Sequence, residues 1–156
     1  MEKIELTSAE KNGSGIATVC DESDLGYIMV SGGSKKMHLR DQVVKSSNKL
    51  FTECACDVFA SILSEKYGYS ICEIQNLDDL SHVFCVRYRN GIRYEIDVTG
   101  EHPENYFYKK YNNPAEDIDL ASLRDKNEKR YENGKRGLAI IVERARAEID
   151  KRSDLS

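Results

Sequence analysis

The strongest structural signal in the chain lies between residues 82 and 98, which read HVFCVRYRNGIRYEIDV. Two runs rich in β-branched and aromatic residues flank the dipeptide Asn90-Gly91. This dipeptide favours a two-residue hairpin turn because both positions tolerate positive φ. The sequence therefore predicts an antiparallel hairpin with strands over 82–88 and 92–98.

The two-residue turn also predicts which residues face one another. Phe84 is expected opposite Asp97, and His82 opposite Thr99, so His82 and Asp97 become diagonal neighbours on one face. Diagonal neighbours lie roughly 7–8 Å apart at the backbone, a gap that inward-leaning side chains close to a hydrogen bond. The opposite face carries an apolar set suited to a core, namely Val83, Cys85, Tyr94, Ile96 and Val98.

A helical period precedes the hairpin. Between Thr52 and Tyr67 the apolar residues recur at the spacing of one helix stripe, and Gly68 follows as a stop signal. A strand is predicted next, over 69–74. A last helix is predicted over 137–150, because its apolar residues share one face: Leu138, Ile141, Val142, Ala145 and Ile149.

The remaining segments are more polar. Runs at 15–20 and 26–30 predict an N-terminal hairpin, and 31–34 a loop. Residues 116–136 include 12 charged residues among 21, which is typical of a solvated helix. The aromatic cluster at 106–111 is more typical of packing than of ligand binding, although its position after Asp97 also allows it to cover a cleft.

Composition limits the class of protein. A chain of 156 residues, 40% hydrophobic, predicts a single domain spanning 1–156. The net charge of −4 disfavours a general nucleic-acid partner. The longest apolar run, 138–142, is too short for a membrane span, and residues 1–5 lack signal-peptide features, so we expect a cytoplasmic protein. The odd number of cysteines, five, predicts free thiols.

Three residues predict thiol chemistry: Cys56 near a helix start, His82 at a strand start and Asp97 near the end of the next strand. A helix N-terminus and an imidazolium both stabilise a thiolate, while a carboxylate orients the histidine that moves the proton. Cys54 competes as nucleophile, but two helix positions are about 200° apart, so only one cysteine faces His82. Glu95 shares the face of Asp97 and is the alternative carboxylate.

Other polar residues have weaker roles in this scheme. An oxyanion hole needs the Cys56 backbone N–H and one side-chain donor, for which Gln42 and Asn48 are both available upstream. His38 and His102 have no companion residues and are interpreted as surface histidines, although the Pro103 neighbour of His102 also suits a cleft wall.

No zinc site or other cofactor is predicted. Cys54, Cys56, His82 and Cys85 offer four ligand types. His82 and Cys85, however, are three apart on a predicted strand and point to opposite faces. Cys54 and Cys56 also lack the spacing of a zinc knuckle.

Two blocks of the sequence resemble the transglutaminase-like and papain-like cysteine hydrolases. CDVFASIL at 56–63, ending at Tyr67-Gly68-Tyr69, is similar to their nucleophile helix. HVFCV at 82–86, followed by Asn90-Gly91 and YEIDVT at 94–99, is similar to their His–Asp hairpin. The order Cys, His, Asp fits the transglutaminase-like group, and short bacterial and phage proteins carry the same two blocks.

The resemblance covers about 52–100 and implies a compact member of this superfamily, without the tryptophan that often lies beside the reactive centre. It implies an α+β fold with the nucleophile helix packed on an antiparallel sheet. Residues 52–100 would form the catalytic core and 101–156 a polar, helical C-terminal extension.

The same resemblance implies a Cys56–His82–Asp97 triad acting on a peptide bond or glutamine amide of a protein or peptide substrate. Peptidases, deamidases and transglutaminases share this half-reaction, and the sequence does not separate them. Two alternatives stay open: an inactive protein-binding module with the same fold, and a bacterial or phage effector that acts on a host protein.

Overall fold

The computed structural model describes residues 25–30, 33–75 and 81–156. The strands are β1 (Tyr27–Val30), β2 (Lys35–His38), β3 (Ser70–Ile74), β4 (His82–Arg89), β5 (Ile92–Asp97), β6 (Gly100–Pro103) and β7 (Glu116–Ile118). The helices are α1 (Leu39–Val43), α2 (Ser47–Glu53), α3 (Cys56–Tyr67), α4 (Tyr106–Tyr111), α5 (Leu120–Arg130) and α6 (Lys135–Asp150), and a 3₁₀ turn covers Ser153–Leu155. Helices and an antiparallel sheet coexist, as the α+β prediction requires.

The main sheet has five strands in the order β6-β5-β4-β3-β7, and every neighbouring pair is antiparallel. The central hairpin has the predicted register, because Arg89 pairs with Ile92 and Cys85 pairs with Ile96. Asn90 and Gly91 take the positive φ values that the turn demands, 54° and 78°. The hairpin prediction is therefore confirmed, including the face on which each side chain lies.

Helix α3 packs on one face of this sheet. Four residues of the predicted apolar face are buried there, Val83, Cys85, Ile96 and Val98, whereas Tyr94 is only half-buried. The Cys85 thiol on β4 donates to the carbonyl of Ala60 on α3 at 3.3 Å. Helix α6 packs beside α3, with Ile141, Ala145 and Ile149 buried in the same core. The helix–sheet packing predicted for residues 56–98 is present.

The other face of the sheet is covered by α4. Phe107 of this helix is fully buried and joins a second, smaller apolar cluster with Cys72, Ile74, Phe84 and Val86. The aromatic cluster at 106–111 thus packs against the sheet, and the sheet separates two apolar layers.

The helix predicted from Thr52 is divided into two. Helix α2 ends at Glu53, and the backbones of Cys54 and Ala55 leave the helical region before α3 begins at Cys56. The Cys54 carbonyl instead accepts a hydrogen bond from Arg130 of α5 at 2.9 Å. A contact 76 residues away, which local periodicity does not encode, accompanies this break.

The solvated helix predicted over 116–136 is also shorter than expected. Residues 116–118 form strand β7 on the sheet edge, and Asp119 caps α5 by accepting from the Ser122 backbone N–H at 2.7 Å. One side of α5 is buried, and the following Tyr131 is fully buried. The charges therefore occupy only part of the helix surface.

Strand β1 pairs with β2, a partner that the sequence analysis did not predict, whereas the run at 15–20 lies outside the described residues. The residues that flank this hairpin pack closely on the start of α6, where a Cβ on Gly137 would lie 2.5 Å from a Leu39 methyl carbon and 2.7 Å from the Leu25 carbonyl oxygen. Within residues 25–30, 33–75 and 81–156, no helix has the length and apolarity needed to cross a membrane.

Candidate active site

Cys56 is the first residue of α3, so its backbone N–H has no partner within the helix. It is 7% exposed, and its sulfur lies 3.6 Å from the Ser81 carbonyl oxygen. The break at Cys54 therefore has a chemical consequence. It places the nucleophile predicted from the sequence at a helix N-terminus, where exposed amides favour a negative charge.

His82 and Asp97 meet on the face of the hairpin that the register predicts. Nε2 of His82 lies 3.1 Å from Oδ2 of Asp97, and the two residues are only 4% and 3% exposed. Because Nε2 is engaged by Asp97, Nδ1 is the ring nitrogen left for the Cys56 thiol.

The imidazole is held in its charged form. Burial lowers the pKa of His82, but the hydrogen bonds to Asp97 and Cys56 outweigh burial and raise this pKa to about 9. An imidazolium beside Cys56 at neutral pH favours the thiolate, the nucleophilic form of cysteine.

Asp97 serves two partners through its two oxygens. Oδ1 accepts from the Thr99 backbone N–H at 2.8 Å and from the Thr99 hydroxyl, while Oδ2 faces His82. Burial raises the pKa of Asp97, but the bonds from His82 and Thr99 dominate and lower it below its usual value. The carboxylate is thus both a turn cap and the orienting group of the histidine.

Cys54 lines the same cleft as Cys56 but is electrostatically different. Burial raises the pKa of Cys54 to about 11, only partly opposed by Arg130. This cysteine stays a neutral thiol at physiological pH and is therefore a poor nucleophile.

The charge next to the nucleophile is neutralised by α5. Asp57 follows Cys56 directly, and its carboxylate accepts from Arg130 at 2.8 Å and from the Tyr131 hydroxyl at 3.4 Å. An unpaired carboxylate at this position would oppose a thiolate by like-charge repulsion. The ion pair also ties the C-terminal part of the chain to the start of α3.

Aromatic rings of α4 enclose the histidine. Phe107 and Tyr111 lie 4.7 Å and 5.2 Å from the His82 ring centroid, and Tyr111 also lines the cleft. This arrangement excludes water from the His82–Asp97 pair and strengthens their electrostatic interaction.

A cleft of about 520 Å³ opens beside Cys56 and His82. Helix α5 forms one wall with residues spaced at a helical repeat: Leu123, Lys126, Asn127 and Arg130. Asn127 is 7% exposed, and its Oδ1 atom has no hydrogen-bond partner in the part of the chain that the structure describes. This wall was not predicted from the sequence. The pattern that indicates it is the pair Leu123 and Asn127, four residues apart on one helix face within the charged run.

The two amides predicted as oxyanion donors lie elsewhere. Gln42 is buried in α1 and Asn48 is exposed on α2, and neither is among the described residues that line the cleft. His38 is exposed, and its ring centroid lies 6.4 Å from that of Tyr27 in an edge-on arrangement.

Glu95 does not contact His82 in the site. Its carboxylate accepts from the backbone N–H groups of Asn105 at 3.2 Å and Phe107 at 3.0 Å, and it pairs with Arg93. These bonds satisfy N–H groups at the start of α4. The geometry thus assigns Glu95 to the support of α4 and leaves Asp97 beside the histidine.

His102, interpreted from the sequence as a surface residue, is half-buried beside this group. Its Nε2 lies 2.6 Å from the Thr99 hydroxyl and 3.7 Å from Oδ1 of Asp97. The signal in the sequence was the Asp97-Val98-Thr99 turn, which places residue 102 on the next strand.

Comparisons with protein-family models, with curated proteins and with solved structures found no match to this chain. A thiol at a helix N-terminus and a charged imidazole adjoin one cleft, and a buried carboxylate bonds to the imidazole; these three groups together suit nucleophilic attack on a carbonyl carbon.

Proposed function

We propose that this chain is a thiol-dependent hydrolase or acyltransferase that uses Cys56, His82 and Asp97 as a catalytic triad. Its fold would be a compact version of the papain and transglutaminase-like core. The observation that carries the proposal is the position of His82, which bonds to buried Asp97 through Nε2 and interacts with Cys56 beside an open cleft.

The first half-reaction follows from these positions. The Cys56 sulfur forms a bond with the substrate carbonyl carbon, and the developing oxyanion is stabilised by the free backbone N–H of Cys56. The carbon–nitrogen bond then breaks, and the leaving nitrogen takes a proton from the His82 imidazolium. A thioester on Cys56 and a neutral His82 remain.

The second half-reaction restores the site. His82 removes a proton from water or from an acceptor amine, which attacks the thioester carbonyl carbon. The carbon–sulfur bond breaks, and the thiolate–imidazolium pair is regenerated. Asp97 holds the imidazole ring in place throughout and stabilises its charged state.

The substrate is an amide, either a peptide bond or a glutamine side chain of a protein or peptide. Asn127 lines the cleft beside Cys56 and His82, and its side-chain amide is polar on both its oxygen and its nitrogen, so it would contact the amide of a bound substrate.

The test combines turnover with thiol labelling. In one assay, carbobenzoxy-glutaminyl-glycine is supplied together with hydroxylamine, and the hydroxamate and ammonia formed are measured. In a parallel assay, casein digestion is followed. Cys56→Ala should abolish product formation, whereas Cys54→Ala, a matched change in the same cleft, should retain it.

Iodoacetamide should also modify Cys56 faster than Cys54 at pH 7. Labelling of Cys56 at or below the rate of Cys54, or product formation retained in Cys56→Ala, would contradict the proposed function. Labelling of Cys56 without turnover of either substrate would favour the alternative, a binding module that kept the fold.

A further inference from the structure

The turn between β5 and β6 holds a hydrogen-bond chain that extends beyond the triad. The Thr99 hydroxyl contacts both Oδ1 of Asp97 and Nε2 of His102. A hydroxyl has one proton, and an ionised carboxylate only accepts, so Thr99 must donate to Asp97. It follows that His102 donates to Thr99 and carries its proton on Nε2.

The ring of His102 is fixed independently of this bond. It stacks on Tyr106 with centroids 3.8 Å apart and an interplanar angle of 7°, and it meets the edge of Phe107 at 5.7 Å. Glu95 holds the backbone N–H of Phe107, which anchors the start of α4 against β5. His102 therefore reaches Thr99 from a rigid support.

We propose that His102 is a positioning residue: through Thr99 it fixes Oδ1 of Asp97, and this leaves Oδ2 aimed at His82. The inference rests on the proposed function, because an aimed carboxylate matters for catalysis only if Cys56 and His82 react. The hydrogen-bond chain then runs from His102 through Thr99 and Asp97 to His82.

The geometry explains why Asp97 alone would be less well oriented. A carboxylate held only by the Thr99 backbone N–H and by His82 has one neutral bond on Oδ1 and retains some freedom of rotation. The second bond on Oδ1, itself fixed by His102, limits that rotation. Tyr111 of α4 also faces this group, since its phenol interacts electrostatically with Asp97 and Cys56.

The first test needs no substitution. Nitrogen-15 chemical shifts of the unmodified protein report which ring nitrogen of a neutral histidine is protonated. His102 should be protonated on Nε2 at a pH where it is neutral. Protonation on Nδ1 alone would overturn the inference, because such a ring cannot donate to Thr99.

The second test uses four variants. Thr99→Val keeps the side-chain shape without the hydroxyl, and His102→Phe keeps the stacking on Tyr106 without the donor. Thr99→Ser restores the hydroxyl, and His38→Phe is the matched control at an exposed histidine outside the chain of bonds. Thermal unfolding of each variant checks that the fold is retained.

NMR titration of the His82 ring is the first measurement on these variants. The pKa of His82 should shift from its parent value by roughly 0.5 to 1 in Thr99→Val and His102→Phe, the free energy of about one hydrogen bond, and stay unchanged in the other two. Unchanged values in all four folded proteins would overturn the inference.

Turnover separates positioning from structural support. In Thr99→Val and His102→Phe, kcat should fall about 3- to 10-fold with KM unchanged, and Thr99→Ser should recover it. If Cys56 proves unreactive while the pKa of His82 still shifts in these variants, the proposed function fails and the hydrogen-bond chain stands. Equal KM and kcat values in parent and variants would overturn the positioning role.

Discussion

Replacing Asp97 with asparagine should make protein stability less sensitive to pH between about 6.5 and 9. The substitution keeps an acceptor oxygen for the Thr99 turn but removes the negative charge that faces His82. The variant therefore separates the two roles of Asp97, because the turn cap survives and the ion pair does not.

The magnitude follows from the pKa of His82, which rises from 6.5 to about 9 in the folded protein. A rise of this size corresponds to about 3 kcal/mol of stabilisation, shared between Asp97 and Cys56. Since the folded pKa lies above the unfolded one, the stabilisation is complete below pH 6.5 and is lost as pH rises to 9. On the acid side, the stabilisation is lost as pH falls below 3.8, because Asp97, whose pKa is lowered in the folded protein, becomes protonated there.

Urea unfolding of parent and Asp97→Asn at a series of pH values measures this difference. The parent should be more stable by up to about 3 kcal/mol near pH 5.5, and the gap should shrink to about 1 kcal/mol or less by pH 9.5. Asp57→Asn is the matched control, because its partner Arg130 stays charged across the range and its gap should not change with pH. A gap for Asp97→Asn that is constant or grows with pH would refute the reasoning.

Three further predictions concern the surroundings of the site. Glu95→Gln should lower the free energy of unfolding by about 1–3 kcal/mol, measured by urea unfolding, because the start of α4 loses a charged acceptor, while kcat stays within about threefold of the parent. Gly137→Ala should destabilise by roughly 1–3 kcal/mol in thermal unfolding, because its Cβ would overlap the Leu39 side chain. Asn127→Ala should lower kcat/KM for the glutamine peptide about tenfold and leave thiol labelling of Cys56 unchanged, and equal kcat/KM values would exclude a substrate contact.

The core of the site follows from local sequence rules. Asn90-Gly91 determines the turn, the turn determines the register, and the period of two in a strand then places His82 and Asp97 on one face. Each step involves residues at most 15 positions apart. This short separation is why the pairing of histidine and carboxylate could be predicted.

The rest of the site depends on contacts that no local rule encodes. Arg130 donates hydrogen bonds to the Cys54 carbonyl and the Asp57 carboxylate at the start of α3, although it lies more than 70 residues away in the sequence. The same helix brings Asn127 to the cleft, within a charged segment that local patterning assigns to solvent. Periodicity describes the surface of one element, whereas these roles depend on which element packs against it.

The topology explains how a separation of only 41 residues, from Cys56 to Asp97, accommodates all three groups. Helix α3 runs away from Cys56, and β3 returns to end at Ile74, which pairs with His82 at the start of β4. Strand β4 then runs away, and β5 returns to end at Asp97. Each reversal brings the chain back to the same end of the sheet, so Cys56, His82 and Asp97 meet there. A shift of one residue in the hairpin would turn His82 or Asp97 into the apolar core, so the register that buries Val83 and Cys85 also assembles the site.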